Sequence, residues 1–353
     1  MISPGKQEIG VTMPGLGTRL DKFAEFAALA EDAGFDAVWD YEFWRNPFTI
    51  HMTTAAATER IPLAIGCAAA LIRSPYELAN AAADVDELSG GRLVIGLAPG
   101  ALEFLEWFHS VPTNKIAARM SEYIDVVRMS WDQLQTQDAS LSYEGEHYRF
   151  TSPPFNPWGG RELVRTRIPI YLAAMKPRMM QLAGEKADGW IGYMSPPDFL
   201  EDHVKRNLAI GAERASRDPS EIKLASETIC SVHEDREVAM RRARVQVGLY
   251  ACNHVSNAQV EFAGLQEDRD AVLQGVLERG LEAASDVTSD ALVRALSITG
   301  TPEECQEKLA QFEGVLDHVI LHTPYVPPLT PEETEDSYRW IVRAFDRSRV
   351  GVT

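Results

Sequence analysis

Two hydrophobic rhythms alternate along this chain. Short, almost continuously apolar runs occur at 9–15 (IGVTMPG), 35–42 (FDAVWDYE), 61–70 (IPLAIGCAAA), 92–100 (RLVIGLAPG), 168–174 (IPIYLAA), 188–194 (DGWIGYM), 222–232 (IKLASETICSV) and 316–326 (LDHVILHTPYV). Such runs are expected of parallel strands covered on both faces. Between them, at 19–34, 47–60, 74–91, 114–134, 176–187, 195–216, 235–253 and 301–314, the polar and apolar pattern predicts helices, as does the segment after the last strand. Some of these helices carry their own boundaries. Ser74 and Pro75 occupy cap and first-turn positions, Gly34 is a plausible stop, and Thr301, Pro302 and Glu304 form a near capping box. The alternation breaks twice. Residues 143–167, rich in Pro and Gly, predict a hairpin and loop, and residues 254–298 a mostly helical excursion.

Eight strands alternating with helices close most simply as one (β/α)8 TIM barrel, a single domain over residues 1–353 with insertions after the fourth and seventh strands. An open doubly wound sheet is the alternative. In a barrel, active sites sit at the C-terminal ends of the strands, so Ala98, Pro99 and Gly100 form a mouth turn. Neither nucleotide-binding glycine fingerprint can be laid over Gly96 and Gly100, so this turn is not a phosphate loop of those types.

Composition narrows the function classes. A hydrophobic content of 45% with 24% charged residues is that of a soluble globular protein, and no apolar run approaches the roughly 18 residues of a membrane span. The first residues have no apolar signal core, so a cytoplasmic location is expected. A net charge of −18 argues against nucleic-acid and anionic-membrane partners, whose phosphates need a basic face. Cys67, Cys230, Cys252 and Cys305 are far apart and form no C-x-x-C pair, so neither a metal site nor a disulfide framework is expected.

Four collinear stretches carry a resemblance: RSPYELANAAADVDELSGGRLVIGLAPG, AARMSEYIDVVRMSW, IPIYLAAMKPRMMQLAGEKADGWIG and GTPEECQEKLAQFEGVLDHVIL. They resemble the bacterial luciferase-like monooxygenase superfamily, in particular its methylenetetrahydromethanopterin reductase-like, coenzyme F420-dependent branch. The resemblance covers most of residues 9–325 and implies a flavin or deazaflavin across the barrel mouth. It also implies a bulge at the end of the third strand, often with a non-prolyl cis peptide, that supports the central ring. The matching residues are Gly66, Cys67, Ala68 and Ala69, whose small side chains allow close approach. The phosphate would sit at the turn after the fifth strand, at Ala173, Ala174, Met175 and Lys176, with Arg178 in the helix that follows. Basic residues at a helix start are electrostatically unfavourable unless an anion visits. Arg161, Arg165 and Arg167 are candidates for the coenzyme's oligoglutamate tail, with a solvated surface as the alternative.

The chain departs from the family near the ring. Glu42 is followed by Phe43 where histidine is common, and Ala101 replaces a frequent carboxylate. Candidate proton donors are therefore Glu42, Glu103 and His109, since general acid catalysis needs a titratable group in reach. Trp44, Trp107 and Phe108, with Trp158, are expected to line a flat apolar substrate, Tyr193 the cofactor, and Glu227 faces inward as a further substrate-binding candidate. His233 and His254 are read as structural or surface residues.

Three activities follow. One is hydride transfer between coenzyme F420 and a small organic substrate. A second is an FMN-dependent monooxygenase served by a partner flavin reductase. The third is a barrel glycoside hydrolase using carboxylates such as Glu42 and Glu227. A noncatalytic cofactor-binding barrel is a further alternative, and the resemblance implies a homodimer.

Overall fold

The computed structural model describes residues 7–348 except Leu16, Trp44, 138–140, 155–156 and Trp158, and the side chains of Leu102 and Glu103. Trp44, Trp158 and the Glu103 carboxyl group therefore lie outside the described residues. The strands are β1 (Glu8–Thr12), β2 (Ala37–Asp40), β3 (Leu63–Ala69), β4 (Leu93–Ala98), β5 (Ser142–Glu144), β6 (Arg149–Thr151), β7 (Ile170–Ala173), β8 (Gly189–Tyr193), β9 (Lys223–Val232), β10 (Ser297–Gly300) and β11 (His318–His322). Eight of them, in the order β1, β2, β3, β4, β7, β8, β9, β11, pair in parallel, and β11 returns to β1 to close the barrel. β5 and β6 form the hairpin expected in the Pro- and Gly-rich segment.

Closure follows from the apolar runs. Their outward residues pack under the helices in one large cluster. The helix Leu20–Asp32, for example, buries Phe23, Phe26, Ala27 and Ala30. Tyr338 of the C-terminal helix packs 5.0 Å from the Phe26 ring and donates its hydroxyl to the Phe26 carbonyl at 2.6 Å. Local signals hold as well. Ser74 Oγ accepts from the Glu77 amide at 3.1 Å, and Thr301 and Glu304 complete their capping box.

Two elements differ from the sequence reading. β10 is a ninth strand in the sheet, outside the barrel closure. β9 is long enough to pair with β11 through Ala225–Ile229 and with β10 through Ile229–Val232. The four residues SITG are too short and too polar to reveal a strand without that partner. The segment ALEFLEWFHS, which falls in none of the helices expected from the sequence, forms a helix, Leu102–His109. Among its described side chains only Leu105 is buried, and the helix lacks a side-chain cap. The excursion after β9 folds into the helices Asn257–Phe262, Gln266–Arg279, Ala283–Val287 and Asp290–Leu296. They bury a second core with Met194 and Tyr325, against which Tyr41, Tyr193 and Tyr250 pack, and so wall one side of the mouth. Among the described residues, no helix is long and apolar enough to cross a membrane.

Candidate functional site

Side chains alternate along each strand, so the inner lining of the barrel forms layers. Trp39, Ala64, Ile191, Ala225 and Ile320 make the middle layer. Two residues further along each strand, toward the C-terminal end, stand Tyr41, Gly66, Tyr193, Glu227 and His322. This upper layer is the floor of the mouth, and it is polar. His322 Nδ1 lies 3.1 Å from Glu227 Oε2. The imidazole stacks on Tyr41 at 5.4 Å, meets Tyr193 edge-on at 5.5 Å and lies 5.7 Å from Tyr325. Gln246 ties this group together, donating to Tyr193 Oη at 3.2 Å and accepting from the Tyr325 amide at 2.9 Å. Tyr250 and Tyr325 share a hydroxyl–hydroxyl contact.

The end of β3 opens over this floor. The ladder to β4 slips between Ile65 and Ala68, and the Gly66–Cys67 peptide is cis. A bulge with a non-prolyl cis bond thus stands at the residues matched to the family's ring support. Gly66 has no room for a side chain, since a Cβ there would lie 2.7 Å from Glu227 Oε1 and 2.8 Å from the Trp39 ring. Glu42 fastens the bulge from outside. Its carboxylate accepts from the Ala69 amide at 2.7 Å and from both terminal nitrogens of Arg73 at 2.7 and 2.5 Å. The β2 loop is bound to the bulge a second time by the Glu42 amide, which donates to the Cys67 carbonyl at 3.2 Å.

Electrostatics keep most of the floor neutral. Burial pushes the Cys67 thiol far up, and the nearby carboxylates of Glu227, Glu42 and Asp40 add to the shift, so it is a thiol and not a thiolate. Burial likewise raises the Tyr41 and Tyr193 phenols, which stay protonated. Asp40, raised by burial and opposed by His51 at 3.0 Å, lies fully enclosed beside the middle layer.

The other expected residues fall in three places. Ala98, Pro99 and Gly100 reach the mouth, with Gly100 at φ +106° and Leu105 packed beneath it. Ala173, Ala174 and Met175 lead into the helix Pro177–Lys186. Lys176 caps that helix without a side-chain hydrogen bond, and its first turn holds no acidic residue. Arg178 turns aside to Glu185 at 2.6 Å. Trp107 and Phe108 are 71% and 69% exposed, and His109 is exposed beside them. Phe104 joins this surface, stacking on Phe108 at 5.4 Å and meeting Phe43 edge-on at 5.8 Å. The arginine segment is elsewhere. Arg161 pairs with Asp84 and Glu87, Arg165 with Asp86 at the start of β4, and Arg167 with Asp132. That is the N-terminal end of the barrel, so the solvated-surface alternative describes these residues and the oligoglutamate expectation does not. Among the described residues no group of His, Cys, Asp or Glu could hold a metal ion.

Sequence reasoning found Glu227 and Tyr193 but missed His322, Tyr41, Tyr250, Tyr325 and Gln246. For His322 the signal was present. HVILH places two histidines four apart on one face of a strand already recognised, the face that carries Ile320 into the barrel.

The sequence model of one family, luciferase-like monooxygenase, matches residues 3–318. The chain is 27% identical over 318 residues to a 5,10-methylenetetrahydromethanopterin reductase of Methanolobus tindarius, covering 87% of this chain and 91% of that protein. It is 28% identical over 309 residues to a putative coenzyme F420-dependent oxidoreductase of Mycobacterium tuberculosis, covering 82% and 87% of the two chains. The solved coenzyme F420-dependent tetrahydromethanopterin reductase of Methanopyrus kandleri superimposes with a TM-score of 0.80 at 22% identity, over 97% of this chain and all (100%) of that one.

Proposed function

The chain belongs to the luciferase-like monooxygenase family, and on that premise we propose that it is an oxidoreductase that binds coenzyme F420 and exchanges hydride with a small organic substrate. The relatives support a flavin or deazaflavin enzyme, and the Mycobacterium tuberculosis relative and the Methanopyrus kandleri structure are named as coenzyme F420-dependent. The observation that carries the reading is the bulge of β3 between Ile65 and Ala68, set over a floor whose polar atoms are incompletely paired.

The residues fit such a group. Gly66, Cys67, Ala68 and Ala69 give the ring a backbone shelf without side-chain obstruction, and Glu42 with Arg73 holds that shelf in place. Lys176 and the N-terminus of the following helix form a positive end for a phosphate. Ala98 to Gly100 close the far edge. The bound group supplies the hydride. The chain's part is to orient the substrate, to exclude water behind the walls built by the β9 insertion, and to hold a proton. In this reading the exposed aromatic face of Phe104, Trp107 and Phe108 covers the substrate from the β4 side. Glu42 acts here as a positioning residue, because its carboxylate is occupied by Arg73 and the Ala69 amide. The same engagement takes Glu42 out of the Glu42–Glu227 pair on which the glycosidase alternative was based.

Fluorescence titration of cofactor-free protein with F420 and separately with FMN tests the reading. F420 is expected to bind at micromolar or lower concentration, with FMN weaker. Lys176→Ala should weaken F420 binding about tenfold, the scale of one charge-assisted contact at a partly exposed site. Preferential binding of FMN would replace the proposal with the two-component monooxygenase, and binding of neither would end both.

A further inference from the structure

A hydrogen-bonded chain of three side chains runs through the barrel beneath the mouth. Trp39 Nε1–H on β2 donates to His318 Nε2 on β11 at 3.0 Å, and His318 Nδ1 lies 3.0 Å from Glu8 Oε2 on β1. Trp39 and His318 are buried, while Glu8 stands at the N-terminal rim. An indole nitrogen is a donor only, so His318 Nε2 carries no proton. The ring is therefore the neutral tautomer whose Nδ1–H donates to Glu8. Glycines at both edges of the indole show that its place is specified. At Gly10 on β1 a Cβ would lie 2.3 Å from His318 Nε2 and 2.5 Å from Trp39 Nε1, so a larger residue there would block the bond. At Gly66 a Cβ would lie 2.8 Å from the other edge of the same indole. Trp39 thus reaches from the His318 bond to the underside of the Gly66–Ala69 shelf.

The groups facing His318 make it the member of the chain whose charge can change. Trp39 meets it edge-on from β2, with ring centroids 5.4 Å apart, and Glu8 faces it from β1 at ion-pair distance. Lys223 on β9 is held by Asp317 at 3.1 Å, and burial raises the Tyr171 phenol on β7, which stays protonated. Ala37, Ala64, Ala225 and Ile320 fill the space around the indole with apolar side chains. A proton added at His318 Nε2 would face the Trp39 N–H across 3.0 Å, donor against donor. The bond to Trp39 does not survive that change, whereas the contact with Glu8 becomes an ion pair.

Resting on the reading above that the shelf carries the cofactor ring, we propose that Trp39, His318 and Glu8 are positioning residues for the shelf, and that protonation of His318 releases the indole and weakens cofactor binding. Neutral His318 holds the indole in the one orientation that fits between Gly10 and Gly66. When Nε2 takes a proton from water, the Trp39 hydrogen bond is lost and the indole is free to turn, so the shelf loses its support from below. Glu8 favours the imidazolium and so sets how readily the lock opens. The chain links the solvent at the N-terminal rim to the site at the opposite end through two hydrogen bonds and one ring contact.

The test uses the full chain carrying nitrogen-15 in tryptophan and glycine. The Trp39 indole and Gly66 amide resonances, assigned by their absence in Trp39→Phe and Gly66→Ala, should move together as pH falls from about 8 to about 5, the span in which histidines change charge. Glu8→Gln should displace that step to lower pH, because the carboxylate favours the imidazolium. In His318→Gln, whose amide oxygen accepts from the indole but takes no proton in this span, both resonances should stay where they are at about pH 8. The F420 affinity of the wild type relative to His318→Gln, a ratio in which the coenzyme's own titration cancels, should fall about tenfold over the same span, the scale of one buried hydrogen bond. His318→Leu, which removes the acceptor, should bind F420 weakly at every pH. Unmoving resonances, a step indifferent to Glu8→Gln, or an affinity ratio constant with pH overturns the proposal, since a ring that merely packed would give all three. Glu8→Gln and His318→Gln cover the case in which His318→Leu does not fold. The two readings fail separately: wild-type protein that does not bind F420 sinks the cofactor assignment and the affinity step with it, whereas F420 binding with unmoving resonances sinks only this inference.

Discussion

The two ends of this barrel handle their charges in opposite ways. At the N-terminal end, carboxylates accept from the first backbone amides of strands and are themselves covered by cations. Asp36 takes the Ile9 amide at 2.8 Å and pairs with Arg347, and Asp188 takes Ile170 at 2.8 Å and pairs with Arg128. Asp317 takes Leu224 at 2.8 Å and pairs with Lys223 at 3.1 Å, while Asp86 takes Leu93 at 3.2 Å and pairs with Arg165. Surface cavities of about 460 and 370 Å³ also open at this end, yet their charged linings are largely engaged in such pairs. At the C-terminal end, Glu227, His322 and Tyr41 keep unpaired atoms under a glycine shelf. A satisfied network holds the strands in register, whereas an unsatisfied one keeps the capacity to bind and to exchange protons.

The comparison is tested most severely at Gly66. Gly66→Ala puts a methyl group against Glu227 and Trp39, so it should lower stability by about 1–3 kcal/mol and reduce cofactor affinity at least 100-fold. Thermal unfolding and fluorescence titration read the two effects, and unchanged binding would remove the shelf from the site. Asp86→Ala should do the converse. Asp86 is 3% exposed, and its loss strands the Leu93 amide and the partly exposed Arg165, which should cost about 2 kcal/mol in urea unfolding while cofactor affinity stays within twofold. A matching loss of affinity would mean that the two ends are coupled.

The smallest effect is expected at Glu31. Burial raises its carboxyl pKa, but the amides of Ile61, Arg60 and Glu59 together outweigh burial and hold it below the ordinary value. A lowered folded pKa contributes stability above the unfolded value of about 4.3, and that contribution disappears as pH falls through the folded value. Glu31→Gln should therefore flatten the acid loss of stability below about pH 4.3 by less than about 1 kcal/mol, measured as urea midpoints across pH. An unchanged acid slope would show that these amide bonds do not matter at the foot of the barrel.

Much of this arrangement was legible in the chain. Eight apolar runs sufficed for the barrel, and the family resemblance placed a bulge at Gly66 to Ala69, where the ladder to β4 slips. Ala98 to Gly100 marked a mouth turn, and the boundary signals at Ser74 and Thr301 held. β10 was illegible because a strand of four residues exists only by pairing with the far half of β9. The helix Leu102–His109 was missed because its outward face is aromatic where a surface helix is usually polar.

What the sequence determined by itself was therefore the order of the eight barrel strands and the helices between them, because hydrophobic period and turn residues are local. Tertiary structure alone decided which polar groups meet. Glu42 was a free carboxylate on paper and is bound by Arg73 once β3 is in place, while His322 was one residue of an apolar strand and becomes the partner of Glu227. The physical reason is that the period of a strand separates its two faces, but only closure of the sheet decides which face turns inward and sets the top layer of every strand around one small space.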